Sequence, residues 1–481
     1  METLQRTANR GSISTGPYQI TNSCKFERDN SEAILTQNQA AGNQKTWTFS
    51  AWIKRSRLDF DWDNIFGAGT AIIIFNEQDD LIVELYNGTT YKLITNRRFR
   101  DTAAWYHLVV MLDTTQGTAS NRVKIYINGV QETSLSTATY PPQDATFPLG
   151  GQGSSTNWLQ LGRFYSGARH FSGYMAEVHY LNGTSEDADA FGEYDDDSGI
   201  WIPKQYTGGG YGTQGFYYKF DDSSNMGKDS SGEGHDANNL ANVSAANQAT
   251  DSPTNVFATL NQLQLDASVI NNSATITEGA TKATAKEFDV YNTFASTIGV
   301  TSGKWYAEFE YEGNQADNLV GIADIAAIVP YNSRLGKAGQ WSVGLYQANG
   351  KLYITSDSGT TEQASWGASA ADGDIMSVAV DMDNYFVYFA KNGTYQNSGD
   401  PTSGATGTGG VAFDSNRVVA IACSSYDQGG NEGQIYTNFG GYTAGTISSA
   451  ASDANGYGTF EYAPPDSYFS LCTQNLALYG G

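Results

Sequence analysis

Short runs of alternating apolar and polar residues recur along the chain. In residues 46–55, TWTFSAWIKR, the two classes alternate with the period of two that a half-buried β-strand requires. Similar runs, bounded by Gly, Asn and Asp, are typical of strands joined by tight turns. In the first 190 residues they predict strands at 46–55, 71–77, 80–95, 105–113, 123–131, 157–164 and 172–181. Beyond residue 190 they predict strands at 215–220, 286–292, 303–313, 318–325, 340–355, 374–393, 416–425, 433–440 and 466–478.

Three Asn-Gly pairs mark hairpins in this pattern. Asn87-Gly88 separates two alternating arms, while Asn128-Gly129 and Asn392-Gly393 each end one. Asn-Gly is a strong hairpin signal because both central positions of the tight turn need positive φ. Matching Asn128 to Asn392 gives a spacing of 392 − 128 = 264 residues, which predicts two related modules. The matched sheet faces are predicted to consist of Val123, Ile125 and Ile127 and of Phe386, Tyr388 and Ala390.

The strand pattern predicts an all-β protein of two tandem antiparallel sandwiches preceded by an extended arm. Residues 1–21 are polar, without periodicity, and are assigned to the N-terminal arm. The first sandwich is predicted over residues 22–190 and the second over residues 266–481. Between them, residues 191–265 are rich in Gly, Asp and Ser and are predicted to be a connector that contributes a strand.

Composition narrows the class of protein. A length of 481 residues allows two to three domains, and 53 glycines with 30 tyrosines and 22 phenylalanines suit a turn-rich β protein. The net charge of −24 argues against binding to nucleic acid or to an anionic membrane, since both would be repelled. The beginning of the sequence lacks a signal-peptide pattern, and no run approaches 18 apolar residues. We therefore expect a soluble protein made in a cytoplasm, in which the cysteines Cys24, Cys423 and Cys472 are buried free thiols.

Two families resemble parts of this pattern. Residues 46–182 resemble a laminin-G-like, concanavalin A-type jelly roll through WTFSAWIKR, WYHLVVMLD, VKIYINGV, LQLGRF and GYMAEVHYLNG, which stand in the family's order. The second module resembles a SPRY-type sandwich through SGKWYAEFE, VGIA, GDIMSVAVDMDNYFVYFAKNG and NFG followed by YAPPDSYFSLCTQNL. Both resemblances imply concanavalin A-like antiparallel sandwiches.

The order of segments along nearly the whole chain resembles virion fibre and adhesin-like proteins of marine tailed bacteriophages. The resemblance includes FGEYDDDSGIWIPKQY, GFYYKFDDSSNMGKDSSGEGHD and TDSPTNVFATLN. It implies a non-enzymatic structural protein of the virion that binds a host-surface glycan or protein and attaches to other virion proteins through its N-terminal arm. A closed homo-oligomer is expected for such an appendage, with a trimer favoured. A head-fibre or capsid decoration protein without a ligand is the alternative.

A polysaccharide-degrading enzyme is a third class, because concanavalin-like folds include glycoside hydrolases. Retaining enzymes need two carboxylates about 5–5.5 Å apart. Glu177 is followed two positions later by His179 instead of a second acid. The histidines lack a recognisable Ser or Cys partner. The sequence therefore predicts no enzyme activity and no catalytic residue.

Saccharide recognition needs flat aromatic faces beside polar groups on loops. Several aromatic side chains stand in such predicted loops, and packing in the core or against another subunit is the competing interpretation. The candidate ligand-binding residues are Trp62 with Asp61 and Asp63, together with Trp158, Tyr165 and Tyr426.

Calcium is the metal that the loops fit best, since it takes six to eight oxygen ligands. The stretch DDSSNMGKDSSGEGHD offers Asp221, Ser223, Asn225 and Asp229 at the 1, 3, 5 and 9 positions of a calcium loop, although Met226 stands where Gly is wanted. Further clusters of oxygen ligands are Asp79 with Asp80 and Asp59 with Asp61 and Asp63. The alternative is that each is a solvated acidic turn, because Asp and Asn favour turns for backbone reasons.

Overall fold

The structure, a computed structural model, describes residues 18–36, 42–58, 61–147, 149, 158–264, 274–287, 289–313, 317–325, 334–337, 341–356, 359–364 and 366–480. The described residues fall into two compact units that divide between Asn255 and Val256. Residues 1–17 of the predicted arm, and Asp59 of the predicted acidic cluster, lie outside the described residues.

The first unit consists mainly of strands. Its strands are β1 (Ser23–Phe26), β2 (Ala33–Thr36), β3 (Thr46–Arg55), β4 (Asp63–Ala68), β5 (Ala71–Phe75), β6 (Asp80–Tyr86), β7 (Thr90–Arg98), β8 (Tyr106–Asp113), β9 (Val123–Ile127), β10 (Val130–Gln131), β11 (Leu135–Ala138), β12 (Leu159–Leu161), β13 (Gly173–Asn182), β14 (Gly192–Tyr194), β15 (Trp201–Pro203), β16 (Phe216–Tyr218), β17 (Asn239–Ala241) and β18 (Gln248–Ala249). Short 3₁₀ helices occupy Ala119–Asn121, Ala188–Ala190 and Ala245–Asn247.

Two antiparallel sheets form the sandwich of this unit. One sheet, here the β3 sheet, has the order β10-β9-β8-β3-β13-β1-β18, with β16 also paired to β13. The other, the β5 sheet, has the order β11-β7-β6-β5-β4-β12-β2-β17. Alternation along β3 places Trp47, Phe49, Ala51 and Ile53 in the core between the sheets. The predicted all-β sandwich of this unit is confirmed.

The opposite face of the β3 sheet is covered as well. Lys54 points to this side and is buried, where its Nζ lies 2.7 Å from Asp251 Oδ2. The indole Nε1 of Trp105 donates to the other oxygen of Asp251 at 3.1 Å. Residues between 191 and 255, which the sequence assigns to a connector, thus supply β14 to β18 and part of this cover.

The second unit is a further antiparallel sandwich. Its strands are β19 (Ala274–Thr277), β20 (Lys282–Ala285), β21 (Tyr291–Val300), β22 (Lys304–Glu312), β23 (Leu319–Asp324), β24 (Ser342–Tyr346), β25 (Leu352–Ser356), β26 (Gly359–Gln363), β27 (Ile375–Asp381), β28 (Phe386–Lys391), β29 (Thr394–Tyr395), β30 (Val411–Ala412), β31 (Val419–Gln428), β32 (Asn431–Glu432), β33 (Gln434–Asn438) and β34 (Phe469–Ser470). Its helices are the 3₁₀ helices Gln262–Gln264, Gln396–Ser398 and Pro401–Thr406 and the α-helix α1 (Thr473–Tyr479).

Two sheets again enclose a core. The first has the order β19-β20-β33-β22-β27-β28-β29, and β22 also pairs in parallel with β34. The second, here the β31 sheet, has the order β21-β31-β23-β24-β25-β26. Buried side chains such as Trp305, Phe309, Val378 and Phe389 fill the space between them. The prediction of tandem sandwiches is therefore confirmed for both units.

The repeated Asn-Gly pairs form the same hairpin in both units. Asn128 and Asn392 have φ of 49° and 48°, and the glycine after each also has positive φ. In each case the Asn side chain accepts from the facing strand, at 2.7 Å from His107 N and 2.9 Å from Ile375 N. Asn87 is different: a hairpin forms between β6 and β7, but only Gly88 of that pair has positive φ, because the turn includes Thr89.

Three predictions about local structure are wrong. The predicted strand at 286–292 begins only at Tyr291, and the predicted closing strand is β34 followed by α1, whose Thr473 and Asn475 are buried. In β28 the main core receives Val387 and Phe389. Phe386 and Tyr388 instead join a smaller cluster with Tyr306 and Tyr468, so the counterparts of Val123 and Ile125 were misassigned by one position.

The described helices are all too short or too polar for a membrane crossing. Cys24, Cys423 and Cys472 are buried free thiols, as predicted.

Candidate functional site

An arginine and three aromatic rings meet at one edge of the first sandwich. Strand β12 pairs antiparallel with β4, so the loop after β12 lies beside the residue that precedes β4. The Cζ atom of Arg169 lies 4.7 Å from the ring centroid of Trp62 and 4.9 Å from that of Phe164. The ring of Tyr165 lies 4.2 Å from that of Phe164. We call Trp62, Phe164, Tyr165 and Arg169 the Trp62 platform.

The loop that carries three of these side chains is fixed by its own backbone. Phe164 N donates to Ala168 O at 2.8 Å, and Gly167 N donates to Phe164 O at 2.8 Å. Arg169 has φ of 52°, a left-handed conformation that is uncommon for residues other than glycine, and its carbonyl accepts from Asn64 N at 3.0 Å. This turn directs the arginine side chain back over the two rings.

Trp62 is held by charged neighbours on both sides. Asp61 and Asp63 both pair with Arg28, and Asp63 also pairs with Arg55 at 2.8 Å. Asp63 and Arg55 are fully buried at the end of the sandwich, whereas the Asp61 side chain is 58% exposed. Because buried ion pairs tolerate little displacement, the backbone of Trp62 is presented from a rigid support.

The base of the platform is apolar. Trp62 and Phe164 pack on the outward face of the β5 sheet, against the buried side chains Ile72, Ile74 and Ile82. The rings therefore bury one side on isoleucine and leave Trp62 and Tyr165 partly exposed. Arg169 lies over the Trp62 ring, so the part of the indole that stays exposed is an apolar surface beside a cation.

A hydrogen-bond acceptor and a group of hydrogen-bond donors lie beside the indole of Trp62. Its Nε1 donates to Oε1 of the exposed Glu77 at 2.9 Å. Within the part of the chain that the structure describes, no group accepts a hydrogen bond from the guanidinium of Arg169, so its five N–H donors face solvent. Next to the exposed part of the indole, Arg169 can donate to a bound hydroxyl and Glu77 can accept from one.

The sequence-predicted ligand residues are only partly brought together. Trp62, Asp61 and Tyr165 lie at the platform, and Asp63 lies behind it in the buried ion cluster. Trp158 is elsewhere, with a buried indole Nε1 that bonds to none of the described residues. Tyr426 belongs to the second unit, where its ring stacks on that of Tyr291 at 4.3 Å.

Sequence reasoning missed Phe164, Arg169 and Glu77. Phe164 and Arg169 occur in GRFYSGARH, but their contact with Trp62 spans about a hundred residues and depends on the left-handed turn at Arg169. The SGAR stretch was a signal of a tight turn. It does not indicate which ring the arginine contacts.

The predicted calcium loop is a hydrogen-bonded turn. Asp229 accepts from the backbone N–H groups of Tyr217, Ser231 and His235 at 2.8–2.9 Å. The Asn225 side chain donates to Asp236 at 3.1 Å. Across the described ranges, His, Cys, Asp and Glu side chains do not gather in threes around a potential metal position. Calcium binding here stays a prediction, which a fall in melting temperature on adding a chelator would support.

The other predicted oxygen clusters hold arginines. Asp79 is buried and pairs with Arg55 at 2.8 Å and with Arg100 at 2.7 Å. Asp80 faces Arg98 at 3.7 Å. The carboxylates of Asp63 and Asp79 thus neutralise Arg55 inside the sandwich.

A buried carboxylate lies on the covered face of the β3 sheet. Glu177 occupies a β-bulge of β13 with φ of 49°, and its Oε2 accepts from the hydroxyls of Tyr18 and Tyr217 at 2.6 Å each. Burial alone would raise the pKa of Glu177, but contacts from His179 and the two tyrosines outweigh it and lower the pKa. The carboxylate therefore holds together β13, β16 and the residue Tyr18.

Glu177 does not have the partner that glycoside hydrolysis requires. The space beside it, about 170 Å³ including open solvent, is lined by Ser50, Trp52, His107, Glu177, His179, Phe191, Pro203 and Lys204. Glu177 is the one carboxylate among these lining residues, whereas retaining glycosidases place two about 5–5.5 Å apart. None of this space is wide enough for a water molecule, whereas ligand pockets typically measure ~300–1,000 Å³.

One protein-family model matches most of the first unit. Residues 28–189 match the family model described as the Concanavalin A-like lectin/glucanases superfamily. No curated protein matches the chain in sequence.

Three solved structures are similar to parts of the chain at low identity. The SPRY domain of human HERC1 is 17% identical, with a TM-score of 0.26, and the likeness covers 34% of this chain and 91% of that one. The TRIM65 PSpry domain is 8% identical, with a TM-score of 0.26 and coverages of 38% and 91%. A putative carbohydrate binding protein from Bacteroides ovatus ATCC 8483 is 21% identical, with a TM-score of 0.32, and the likeness covers 47% of this chain and 60% of that one. The concanavalin A-like jelly roll predicted for the first module is confirmed by the family match of residues 28–189.

Proposed function

We propose that the chain is a non-enzymatic saccharide-binding protein whose binding site is the Trp62 platform. The observation that carries the proposal is the partly exposed indole of Trp62 on an apolar base, with the Arg169 guanidinium over its ring and the Glu77 acceptor at its Nε1. A sugar ring offers an apolar C–H face for the indole and hydroxyls for these polar groups. The family match of residues 28–189 supports the same class of ligand.

Binding without catalysis is supported by the surroundings of Glu177. Its Oε2 accepts from two tyrosine hydroxyls, and it is the one carboxylate among the described residues that line its cavity. At the platform, Glu77 is bonded to the indole and Asp61 to Arg28. Neither carboxylate is arranged as one of a catalytic pair.

The proposed setting is a surface appendage of a virion, a tail or head fibre that displays the sandwiches to a host surface. The resemblance of the segment order to fibre and adhesin-like proteins of marine tailed bacteriophages supports it. In this setting the N-terminal arm attaches to other virion proteins and the chain forms a homo-oligomer, with a trimer favoured. Many copies on one particle would raise avidity by roughly 10²–10⁴, so weak individual sites suffice. Gold-labelled antibody on intact particles would mark the appendage, and absence of label from every particle would contradict this setting.

Replacing Trp62 by alanine is expected to weaken glycan binding by about 30-fold, the effect of removing an aromatic residue worth about 2 kcal/mol at the centre of a site. The measurement is titration of the full chain with the strongest ligands from a glycan array. Tyr194→Ala is the matched control, because Tyr194 is an aromatic residue of the same unit that is 51% exposed and lies on the β14–β15 hairpin. Equal affinity of the wild type and Trp62→Ala would contradict the proposal.

A further inference from the structure

Six Asn-Gly pairs occur in the sequence, and the fold holds them differently. The asparagines of these pairs are Asn87, Asn128, Asn182, Asn349, Asn392 and Asn455. Asparagine is chemically labile, and most of all before glycine, which has no Cβ to hinder attack of its backbone nitrogen. The glycine nitrogen bonds to the asparagine Cγ while the side-chain nitrogen leaves as ammonia, taking the proton of the glycine N–H. Water then opens the cyclic imide to aspartate or isoaspartate, so the reaction needs both groups to be free.

Three of the pairs have their glycine N–H engaged in a backbone hydrogen bond. The bonds, with their N···O distances, run from Gly183 to Thr46 O (2.9 Å), from Gly350 to Tyr346 O (3.0 Å) and from Gly456 to Asp453 O (2.9 Å). Asn182 is also buried, and its Oδ1 accepts from Asn43 N at 2.8 Å. A nitrogen whose proton is donated in this way attacks the side chain only after the local structure opens.

The pairs at Asn128 and Asn392 are held by the asparagine side chain. Each side-chain oxygen accepts from the facing strand, at 2.7 Å and 2.9 Å. The glycine of each pair also packs under an aromatic ring. The ring and its distance from an added Cβ are Trp201 at 2.3 Å for Gly129 and Tyr462 at 2.7 Å for Gly393. Rotation of the amide toward the glycine nitrogen would break the hydrogen bond and disturb this packing.

Asn87-Gly88 has neither of these restraints. Both residues are exposed at the turn between β6 and β7. Among the residues that the structure describes, none forms a hydrogen bond with the Asn87 side chain or with the Gly88 N–H. No described atom lies within 4 Å of the position that a Cβ of Gly88 would take, so the ring of the imide has room to form. Of the six pairs, which all lie within the described ranges, this one alone has both reacting groups free.

We propose that Asn87 is a site of spontaneous deamidation and that the fold protects the other five pairs. The Gly88 nitrogen attacks Asn87 Cγ, ammonia leaves, and solvent water opens the imide to a carboxylate. The net charge of the chain then changes from −24 to −25, since −24 − 1 = −25. Each chain thus converts with age into a more acidic form, without an enzyme or a cofactor.

The modified turn lies far from the Trp62 platform. Asp63, next to Trp62, pairs with Phe75, and Phe75 pairs with Leu81 near the beginning of β6. Asn87 follows the other end of β6, and the 87 − 81 = 6 residues between them span about 20 Å of strand. The proposal is therefore independent of the saccharide site, and glycan binding is not expected to change with deamidation.

The test follows the folded full chain in mildly alkaline buffer over days, by peptide mapping and mass spectrometry, in which each deamidation adds about one dalton. Asn87 is expected to react at least about tenfold faster than each of the other five asparagines, because only their reaction requires local opening. The same chain in concentrated urea is the control for effects of local sequence. There the six rates are expected to agree within a few-fold, because unfolding removes the protection.

Two variants locate the change in charge. Asn87→Gln is expected to abolish the acidic form seen by native isoelectric focusing, because glutamine would have to close a larger ring. Asn349→Gln, at another exposed asparagine whose glycine N–H is hydrogen-bonded, is the matched control and should keep the acidic form. Asn87 that reacts no faster than the other pairs in the folded chain would overturn the proposal. An equal advantage of Asn87 in urea, or an acidic form that persists in Asn87→Gln, would overturn it as well.

Discussion

Replacing Asp63 by asparagine is expected to lower the free energy of unfolding of the first unit by about 3–5 kcal/mol, the usual cost of removing one partner from a buried ion pair. Asp63 is fully buried and pairs with both Arg28 and Arg55. Arg55 is itself buried and also pairs with Asp79 at 2.8 Å. Without the Asp63 carboxylate, the cluster would keep a buried guanidinium charge that Asp79, which also pairs with Arg100, cannot fully neutralise.

Asp61→Asn is the matched control. Asp61 pairs with the same Arg28, at 3.0 Å, but its side chain is 58% exposed. Exposed pairs contribute about 0–1 kcal/mol, so this variant should unfold at nearly the wild-type urea concentration. Urea unfolding, with hydrogen exchange of β3 peptides to assign the transition to the first unit, measures the difference. Equal loss of stability in the two variants would show that burial of Asp63 does not have the role assigned to it.

Acid is expected to destabilise the first unit through His107 between about pH 6.5 and pH 3. Burial, with a smaller contribution from the charge of His179, lowers the pKa of His107 to about 3. Trp201 Nε1 donates to its Nδ1 at 3.0 Å, so Nε2 carries the proton and donates to Ser50 Oγ at 2.9 Å. A second proton on Nδ1 would face the indole N–H, which leaves the folded imidazole neutral.

The direction of the pH effect on stability follows from proton uptake by the unfolded chain. Below about pH 6.5 an unfolded chain protonates this imidazole while the folded chain does not, so stability falls as pH falls, by about 1.4 kcal/mol for each pH unit until about pH 3. Glu177, His179 and Lys204 line the same cavity, so a global melting curve alone does not isolate His107. Nitrogen-15 NMR reports on the His107 imidazole alone. A neutral ring with the proton on Nε2 is expected at pH 5. A ring that protonates near pH 6.5 in the folded protein would contradict the account.

The sandwich fold could be predicted from the sequence because a sheet buried on one side leaves a period of two in the chain. Strand β3 was predicted at its observed bounds, and the Asn128 and Asn392 turns follow from the positive φ that their position requires. Strand β4 was missed, since DNIFGA carries a buried aspartate and asparagine where alternation predicts a loop. Asp63 is buried because Arg28 and Arg55 neutralise it, and these ion pairs form only when separate parts of the chain meet.

The candidate site could be predicted only in part, because its contacts join residues that are distant in sequence. Trp62 and Tyr165 were recognisable as aromatic residues in polar loops. Their neighbourhood depends on the pairing of β12 with β4 and on the left-handed turn at Arg169, and neither follows from local sequence. Asp63 fits a ligand-binding loop by its sequence neighbours, but the structure places it among arginines inside the sandwich.

The buried cluster around Glu177 could not be predicted from the sequence either. Glu177 and His179 are two positions apart, which in a regular strand would put both side chains on one face. The bulge between Ala176 and His179 and the tyrosines that reach Glu177 were not visible in the sequence. In the structure, Glu177 and its tyrosine partners connect strands and do not form part of a catalytic pair.

A crystal structure of the chain with the best glycan from the array tests the central claim most directly. The account predicts a sugar ring in contact with the exposed part of the Trp62 indole, with hydroxyls within hydrogen-bond distance of the Arg169 guanidinium and the Glu77 carboxylate. A saccharide bound elsewhere in the first unit, with no atom in contact with Trp62, would contradict it.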